Sequence, residues 1–499
     1  MHVHQYSLDN LIVELSEASS RDIIKNKLHI QFLSNYLEKI ETKIFIVEDV
    51  YVDKDFLEDH SLYYARCFKN YNRLCKRIHF FSNNYTEAEL REIFFGTDVS
   101  EDVVHKFQES YLGFSVIKPL PRTIIGRTCL KTYSETDGRN YLTIRTFHAN
   151  LFGIDLTVKT LPFQEQDSVV AACATSALWS AFQMTGDLFG HKILSPSKIT
   201  QYAVENRICR SRPFPNTLGL TVEQMAHAIF KVELEPLCLD IKPTKMGKEI
   251  FLGNLYAYTK FSIPVLLVVD LYDESTNSIM GRHAITIAGF NTNGTAEQAT
   301  LPLFSDKINK LYGHDDQIGP FTRIEYDASL GKWYSSWKAQ NNPDAKVEIQ
   351  PQLLLIPIYH KIRIPFETIW FHIYRFHQEL SFLKNCFPSH KQILFDEIKW
   401  DIYLISNNDL KKKWRREKFI DAELRKDLLT TMLPKYLWSA TVYRGEIRLS
   451  TFIFDATDIE QGLSVLKKIS YDSEFNNMLK TFASIIKNSK SIVLSSYDE

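Results

Sequence analysis

Apolar residues recur at helical and strand spacings from the beginning of the chain. Residues 1–40 carry them three and four positions apart, which predicts helices. Residues 43–52 (KIFIVEDVYV) are rich in β-branched and aromatic side chains and predict a strand. Residues 55–78 predict a further helix, and residues 111–117 (YLGFSVI) a further strand. We therefore expect residues 1–155 to form an α+β region.

The middle of the chain, residues 156–360, predicts one buried helix followed by strands. From Ala172 onward, small and large apolar residues alternate at helical spacing. A second helix is indicated by the capping-box pair Thr221 and Gln224. The runs 263–271 (IPVLLVVDL) and 282–290 (RHAITIAGF) predict buried strands.

The C-terminal part of the chain predicts another α+β region over residues 361–499. An aromatic helix is expected at 365–384, and β segments are expected at 398–405 and 437–454. The pattern thus divides the chain into three regions, 1–155, 156–360 and 361–499, with the outer two of unknown role.

Composition and charge exclude several classes of protein. The 499 residues are 44% hydrophobic and 24% charged, as in ordinary globular proteins. The net charge of −1 favours neither nucleic acid nor an anionic membrane, and the basic run 411–418 is interpreted as a solvated helix face. The apolar runs are shorter than the ~20 residues of a membrane span.

The cysteine content indicates free thiols in a reducing compartment. The seven cysteines are odd in number and scattered, and none forms a C-x-x-C pair. The N-terminal residues show no secretory signal. We therefore expect a cytoplasmic, bacterial-type protein without a metal or other cofactor.

Cys173 is the first candidate for chemistry. It lies near the first turn of the predicted helix in QEQDSVVAACATSALWSAF, residues 164–182. A helix N-terminus stabilises negative charge and hence the reactive thiolate. Upstream, Gln164 or Gln166 could donate to an oxyanion. The competing interpretation is a free cysteine that serves only as a small buried hydrophobe.

His283 and a carboxylate after the next β segment could complete a catalytic group. His283 opens the predicted strand at 282–290 and could act as the base for a cysteine distant in sequence. Asp315 or Asp316 could then fix the imidazole tautomer. The alternatives are a polar strand end and an acidic turn. A metal site of His314, Asp315 and Asp316 lacks a second ligand cluster.

The order of these motifs resembles the papain-like cysteine peptidase superfamily. The resemblance is strongest to the double-glycine-leader peptidases of bacteriocin exporters, and it covers about residues 160–335. It is carried by the A-C-x-x-x-A-L helix start at Cys173, the G-L-T helix after Gly219, the P-V-L-L-V strand, H-A-I-T-I-A-G-F, and D-D-Q-I-G.

The resemblance implies a papain-like core, with a nucleophile helix packed on an antiparallel sheet between two α+β regions. It implies Cys173 as nucleophile, His283 as base, Asp315 as orienting carboxylate and Gln166 as oxyanion donor, with Asp316 and Gln164 as alternatives to the last two. The implied activity is hydrolysis of a peptide or isopeptide bond in a peptide or protein partner.

Two other activities are compatible with the same motifs. An amide transferase would use the same residues with an amine as acceptor. A catalytically inactive scaffold or binding protein is the other alternative, because Ala174 stands where the family has glycine after the nucleophile.

Overall fold

The computed structural model describes residues 2–167, 172–205, 219–276, 278–296, 299–338, 346–384, 396–485 and 491–497. The chain forms two compact units. The first consists of Met1–Leu239, Pro264–Phe290 and Lys310–Pro357, and the second of Asp240–Ile263, Asn291–Asn309 and Ile358–Glu499. The first unit contains the predicted N-terminal region and most of the middle region, so the boundary placed at residue 155 lies inside it.

An antiparallel five-stranded sheet begins the first unit, with its strands in sequence order. The strands are β1 (His2–Gln5), β2 (Ile44–Tyr51), β3 (Cys75–Phe81), β4 (Tyr111–Ile117) and β5 (Ile125–Leu130). The accompanying helices are α1 (Leu8–Leu15), α2 (Arg21–Lys25), α3 (Leu28–Lys39), α4 (Lys54–Leu62), α5 (Glu87–Phe95) and α6 (Glu101–Glu109). The strands predicted at 43–52 and 111–117 are confirmed.

The single helix predicted over residues 55–78 is wrong. Helix α4 ends at Leu62, a 3₁₀ turn follows at Tyr64–Arg66, and β3 begins at Cys75. The polar segment 69–73 (KNYNR) separates these elements. Only residues 75–78 of the predicted range lie in β3, which pairs with β2 and β4, and the aromatic residues of that range precede the strand.

A second sheet carries the middle region. Its strands are β6 (Arg139–Tyr141), β9 (Leu234–Asp240), β10 (Val265–Asp273), β11 (Ser278–Asn291), β12 (Lys310–Asp315), β13 (Gly319–Asp327), β14 (Lys332–Ser335) and β15 (Val347–Tyr359). Strands β10 to β15 pair in sequence order, and β10 also pairs with β15, which closes them into a ring. A separate hairpin consists of β7 (Arg145–Leu151) and β8 (Ile154–Thr160).

Three helices accompany this sheet in the described part of the first unit. They are α7 (Cys173–Phe189), α8 (Pro196–Val204) and α9 (Val222–Lys231). Helix α9 begins with the predicted capping box, in which Thr221 and Gln224 each accept from the other's backbone N–H.

The second unit is built on an antiparallel four-stranded sheet with its strands in sequence order. The strands are β16 (Ile398–Ser406), β17 (Tyr436–Arg444), β18 (Ile447–Asp455) and β19 (Val465–Ser470). The helices are α10 (Lys245–Thr259), α11 (Phe366–Lys384), α12 (Asn407–Arg416), α13 (Ala422–Thr430), α14 (Ser473–Ile485) and α15 (Ile492–Ser495). The helix predicted at 365–384 is confirmed.

Both units combine helices with antiparallel sheets, which confirms the α+β class at that level. Among the described residues, no helix is both long enough and apolar enough to cross a membrane.

Candidate active site

Helix α7 presents Cys173 at its N-terminus. Ala172 is the N-cap residue with extended backbone, and Cys173 is the first residue of the helix. The Cys173 residue is partly exposed, whereas Ala174 and Ala177 are buried. The small residues at this end of the helix are thus buried, whereas Cys173 itself is partly exposed.

The sheet below α7 supplies the second residue of the site. Thr286 of β11 donates a hydrogen bond from Oγ1 to the Ala177 carbonyl at 2.7 Å. This bond fixes the first turns of α7 against the strand that carries His283. His283 lies within β11, opposite Val269 of β10, and not at the strand's first residue.

His283 connects the thiol to a carboxylate. Its Nε2 lies 3.0 Å from Oδ1 of Asp315, and Cys173 lies close enough to the imidazole to help raise its pKa. Because Nε2 is occupied by Asp315, Nδ1 is the ring nitrogen left for the thiol. The imidazole is only 3% exposed, so these contacts are shielded from water.

Asp315 ends β12, the strand beside β11, as the sequence suggested. Its Oδ2 accepts from Nε1 of Trp337 at 2.7 Å, and its Oδ1 accepts from the Gln317 N–H at 3.1 Å. The Trp337 ring also packs edge-on against the His283 ring, with centroids 5.3 Å apart. The carboxylate and the imidazole are therefore held by contacts on several sides.

Asp316 faces the same imidazole from a second position. Its Oδ1 lies 3.5 Å from His283 Nε2, and neither carboxyl oxygen forms a hydrogen bond within the described part of the chain. Its carbonyl accepts from the Gln166 N–H at 3.4 Å and from Nε2 of His29 in α3 at 2.7 Å. Asp316 is thus fixed by its backbone, with a buried carboxyl that has no donor.

The charges of these groups are strongly coupled. Burial lowers the pKa of His283, but Asp315, Asp316 and Cys173 together raise it well above its ordinary value. Burial raises the pKa of Asp315, yet His283, Trp337 and the Gln317 N–H outweigh burial and lower it. Burial and Asp315 raise the pKa of Asp316 to about 7, against the opposing effect of His283. The favoured state is an imidazolium paired with the Asp315 carboxylate.

The two glutamines occupy different environments. Gln166 is partly exposed and joins the site through its backbone bond to Asp316. Gln164 is 3% exposed, and its Nε2 has no hydrogen-bond partner among the described residues. Its amide therefore has an unused donor. Residues 168–171, which lead from this segment to α7, lie outside the described residues.

Three contributors to the site were missed from the sequence. Trp337 ends the segment GKWYSSW, residues 331–337, which carries no recognisable motif. Glu165, between the two glutamines, accepts at Oε2 from the Ile124 and Ile125 N–H groups, both at 3.1 Å. His29 comes from α3, far upstream in sequence. No local pattern marks any of the three, because their partners are brought together by tertiary packing.

One group at this site has the donor atoms of a metal centre. Ligand atoms of His283, Asp315 and Asp316 lie within 4.8 Å of one another. His314 does not join them: its Nδ1 accepts from the Phe321 N–H, and its Nε2 donates to the Leu161 carbonyl. Burial lowers the pKa of His314 to about 4. The metal site considered for His314 with the two aspartates is therefore wrong.

Comparison with protein-family models and with curated proteins gave no match. No protein-family model matches the chain, and no curated protein is similar enough to be counted. The resemblance to papain-like peptidases stays a prediction.

Proposed function

We propose that this chain is a thiol-dependent hydrolase that cleaves a peptide or isopeptide bond, on a papain-like core. The observation that carries the proposal is the arrangement of a partly exposed Cys173, a buried His283 beside it and a buried Asp315 bonded to that imidazole. A thiol at a helix N-terminus, a base beside it and a carboxylate behind the base form the set that covalent acyl transfer requires.

In the proposed reaction, the Cys173 thiolate attacks the substrate carbonyl carbon, while His283 carries the proton from the thiol. The resulting oxyanion accepts from the Cys173 backbone N–H and from a glutamine amide, Gln166 or Gln164. His283 then gives its proton to the leaving amine as the C–N bond breaks, which leaves a thioester. Water adds to the thioester carbonyl with His283 as base, the C–S bond breaks to release the acid product, and Cys173 leaves as a thiolate beside the protonated His283.

Asp315 and Trp337 keep the imidazole productive. The carboxylate holds Nε2 protonated, so that Nδ1 faces the thiol. The indole N–H at 2.7 Å fixes the carboxylate, and the ring covers the imidazole edge. Shielding from water strengthens both interactions.

The surrounding fold supports the proposal. A helix whose first residue is Cys173 packs on an antiparallel sheet whose strands carry His283 and Asp315. A reducing compartment such as the cytoplasm suits this chemistry, since the thiol must stay reduced. The five cysteines in the described residues form no disulfide.

Alkylation by iodoacetamide at mildly acidic pH tests the thiol. Each cysteine is followed by peptide mass spectrometry in the wild type, His283→Ala and Asp315→Asn. We expect Cys173 to react at least about tenfold faster than the exposed Cys238, because the imidazolium stabilises its thiolate. That advantage should disappear in His283→Ala. Equal, slow labelling of Cys173 and Cys238 in the wild type would contradict the proposal.

Hydrolysis is tested with a peptide library incubated with the wild type and with Cys173→Ala. Cleavage products that appear only with the wild type support a peptidase, and Cys238→Ala serves as the control cysteine variant. A library that stays intact with a wild type whose Cys173 alkylates rapidly would contradict peptide hydrolysis while leaving the activated thiol in place.

A further inference from the structure

A second cluster of side chains with metal-ligand atoms lies near the beginning of the sequence, on β1 and α1. His2 and His4 alternate along β1, so both side chains lie on the same face of that strand. Glu14, on α1, faces the same position from the helix packed beside the strand. Two imidazoles and a carboxylate are typical zinc ligands.

The ligand atoms of these three residues are close enough to share one ion. One ring nitrogen from each histidine and one Glu14 oxygen lie within 4.8 Å of one another. His4 Nε2 lies 3.2 Å from Glu14 Oε1. A tetrahedral ion with bonds of about 2.0–2.2 Å needs neighbouring ligands roughly 3.4 Å apart. Only small side-chain movements would complete such a site.

His4 carries the observation that a simple ion pair does not explain. Its Nε2 is shielded from solvent and makes no hydrogen bond within the described part of the chain, although the Glu14 oxygen is near. The ring is held in place by stacking on Phe45 of β2, with centroids 5.0 Å apart and planes 24° apart. The nitrogen thus has a fixed direction and lies near Glu14, but it makes no hydrogen bond among the described residues.

The charges around Glu14 leave one oxygen for a further cation. Lys76 of β3 contacts Oε2 at 3.3 Å and also contacts Glu17 at 3.4 Å. Oε1 is the oxygen that faces His4. Asp49 of β2 lies 3.8 Å from His2 Nε2 and adds negative charge on the outer side. Two carboxylates therefore contact Lys76, and a third lies beside His2.

We propose that His2, His4 and Glu14 bind a divalent transition-metal ion of the zinc class. Three protein ligands with a partly exposed edge at His2 leave a fourth position for water or for a ligand from outside. The ion would join the edge strand β1 to α1 and fix the start of the five-stranded sheet. This site is independent of the function proposed for Cys173.

Cobalt titration tests the site in the full chain carrying Cys173→Ala and a tag without histidine. Cys173→Ala prevents binding at the thiol. We expect one equivalent of Co²⁺ to bind with the strong visible absorption of tetrahedral coordination, and Zn²⁺ to displace it. His2→Ala and His4→Ala in this background should each weaken binding at least about tenfold. Zn²⁺ should also raise the thermal-unfolding midpoint in the parent protein but not in His2→Ala.

The matched control is His105→Ala, which removes the histidine of an exposed pair with Glu109 at 3.5 Å. It should bind Co²⁺ like its parent. Since His2 is 59% exposed, His2→Ala is expected to fold, and a circular dichroism spectrum verifies this. Absence of bound metal in the parent, or binding that His2→Ala and His4→Ala leave unchanged, would overturn the proposal.

Discussion

Two neighbouring carboxyl groups, Asp315 and Asp316, face the same imidazole nitrogen and differ in their donors. Asp315 accepts from Trp337, Gln317 and His283, which stabilise its charge. Asp316 has no donor to its carboxyl among the described residues, and burial raises its pKa to about 7. Hydrogen-bond donors thus keep the pKa of Asp315 low, whereas burial without such a donor among the described residues raises the pKa of Asp316.

Asp316→Asn should change how stability depends on pH. The folded-state pKa of Asp316 is raised, so the native state binds more protons than the unfolded chain between about pH 4 and pH 7. Stability contributed by this group is present below that window and is lost as the pH rises through it. Asn carries no charge, so thermal-unfolding midpoints measured from pH 4 to pH 8 should fall less in the variant.

Asp59 offers a matched control for that experiment. Burial raises its pKa to about 7, against the opposing effects of Lys118 and Ser197, with Asp167 adding to the rise. Between about pH 4 and pH 7, the free energy of unfolding should fall less in Asp59→Asn than in the wild type, by at most about 4 kcal/mol. It should leave the pH profile of Cys173 alkylation unchanged, whereas Asp316→Asn should shift it. Identical alkylation profiles in the two variants would contradict a link between Asp316 and His283.

Trp337→Phe should lower the pKa of His283 while an aromatic ring still covers the imidazole. Phenylalanine keeps an aromatic ring against His283 but cannot donate to Asp315. A hydrogen bond to a charged group contributes about 1.5–3 kcal/mol, so alkylation of Cys173 at mildly acidic pH should slow by roughly tenfold. The measured pKa of His283, followed by NMR, should fall. An unchanged alkylation profile would show that the indole N–H does not support the carboxylate.

At the residue scale, sequence reasoning could identify the reactive types but not their surroundings. Cys173, His283 and Asp315 were selected from a helix start, a strand and a strand end, and the structure brings these three together. The carboxyl of Asp316, which has no hydrogen-bond donor among the described residues, could not be predicted, because this depends on which way a buried side chain points. Trp337 could not be predicted either, since it follows β14 and donates to Asp315 at the end of β12, with β13 between these strands.

At the element scale, the packing of α7 against β11 determines whether the Cys173 and His283 side chains lie close together. Thr286 is fully buried and joins the strand to the Ala177 carbonyl. Thr286→Val keeps the shape but removes the hydrogen bond, at a cost of about 1 kcal/mol in the free energy of unfolding. We expect slower Cys173 alkylation in this variant, because the helix is less firmly held.

Thr286→Ser is the control for that prediction. It keeps the hydroxyl donor and loses only a methyl group, so alkylation of Cys173 should stay fast even if chemical denaturation shows some loss of stability. Equal alkylation rates in the serine and valine variants would mean that packing alone positions α7.

Elements with a strong local signal were predictable, and elements defined by pairing were not. The aromatic run of α11 and the capping box of α9 each identify a helix from their own residues. Residues 55–78 failed because the spacing of their aromatic residues is compatible with a helix, whereas β3 is stabilised by the strands on both sides. Those partners are distant in sequence, so no local window contains the information.

At the scale of the whole molecule, the N-terminal region and the middle region of the first unit share one hydrophobic core. Tyr36 of α3 is fully buried and lies against Phe321 of β13, with ring centroids 6.3 Å apart. Tyr141 of β6 similarly contacts Tyr312 of β12 at 5.1 Å. A boundary at residue 155 would cut through this core, which hydrophobic periodicity cannot reveal because it does not say which faces pack together.

Residues 156–360 should therefore not fold alone. Removal of residues 1–155 exposes the sheet side of the shared core, and the Tyr36, Phe45 and Phe80 contacts are lost. We expect the isolated segment to lack a cooperative thermal transition by circular dichroism and to lose rapid alkylation of Cys173. A segment that unfolds cooperatively and keeps a fast-reacting Cys173 would contradict this expectation.

The order of the site residues along the chain has a consequence during translation. Cys173 leaves the ribosome well before His283 and Asp315, and the indole that holds the carboxylate comes later still, at Trp337. The ring of strands closes only once β15, which ends at Tyr359, has paired with β10. Under the proposed function, a nascent chain therefore exposes an ordinary thiol for most of its synthesis and gains an activated one only after more than two-thirds of its length has been made.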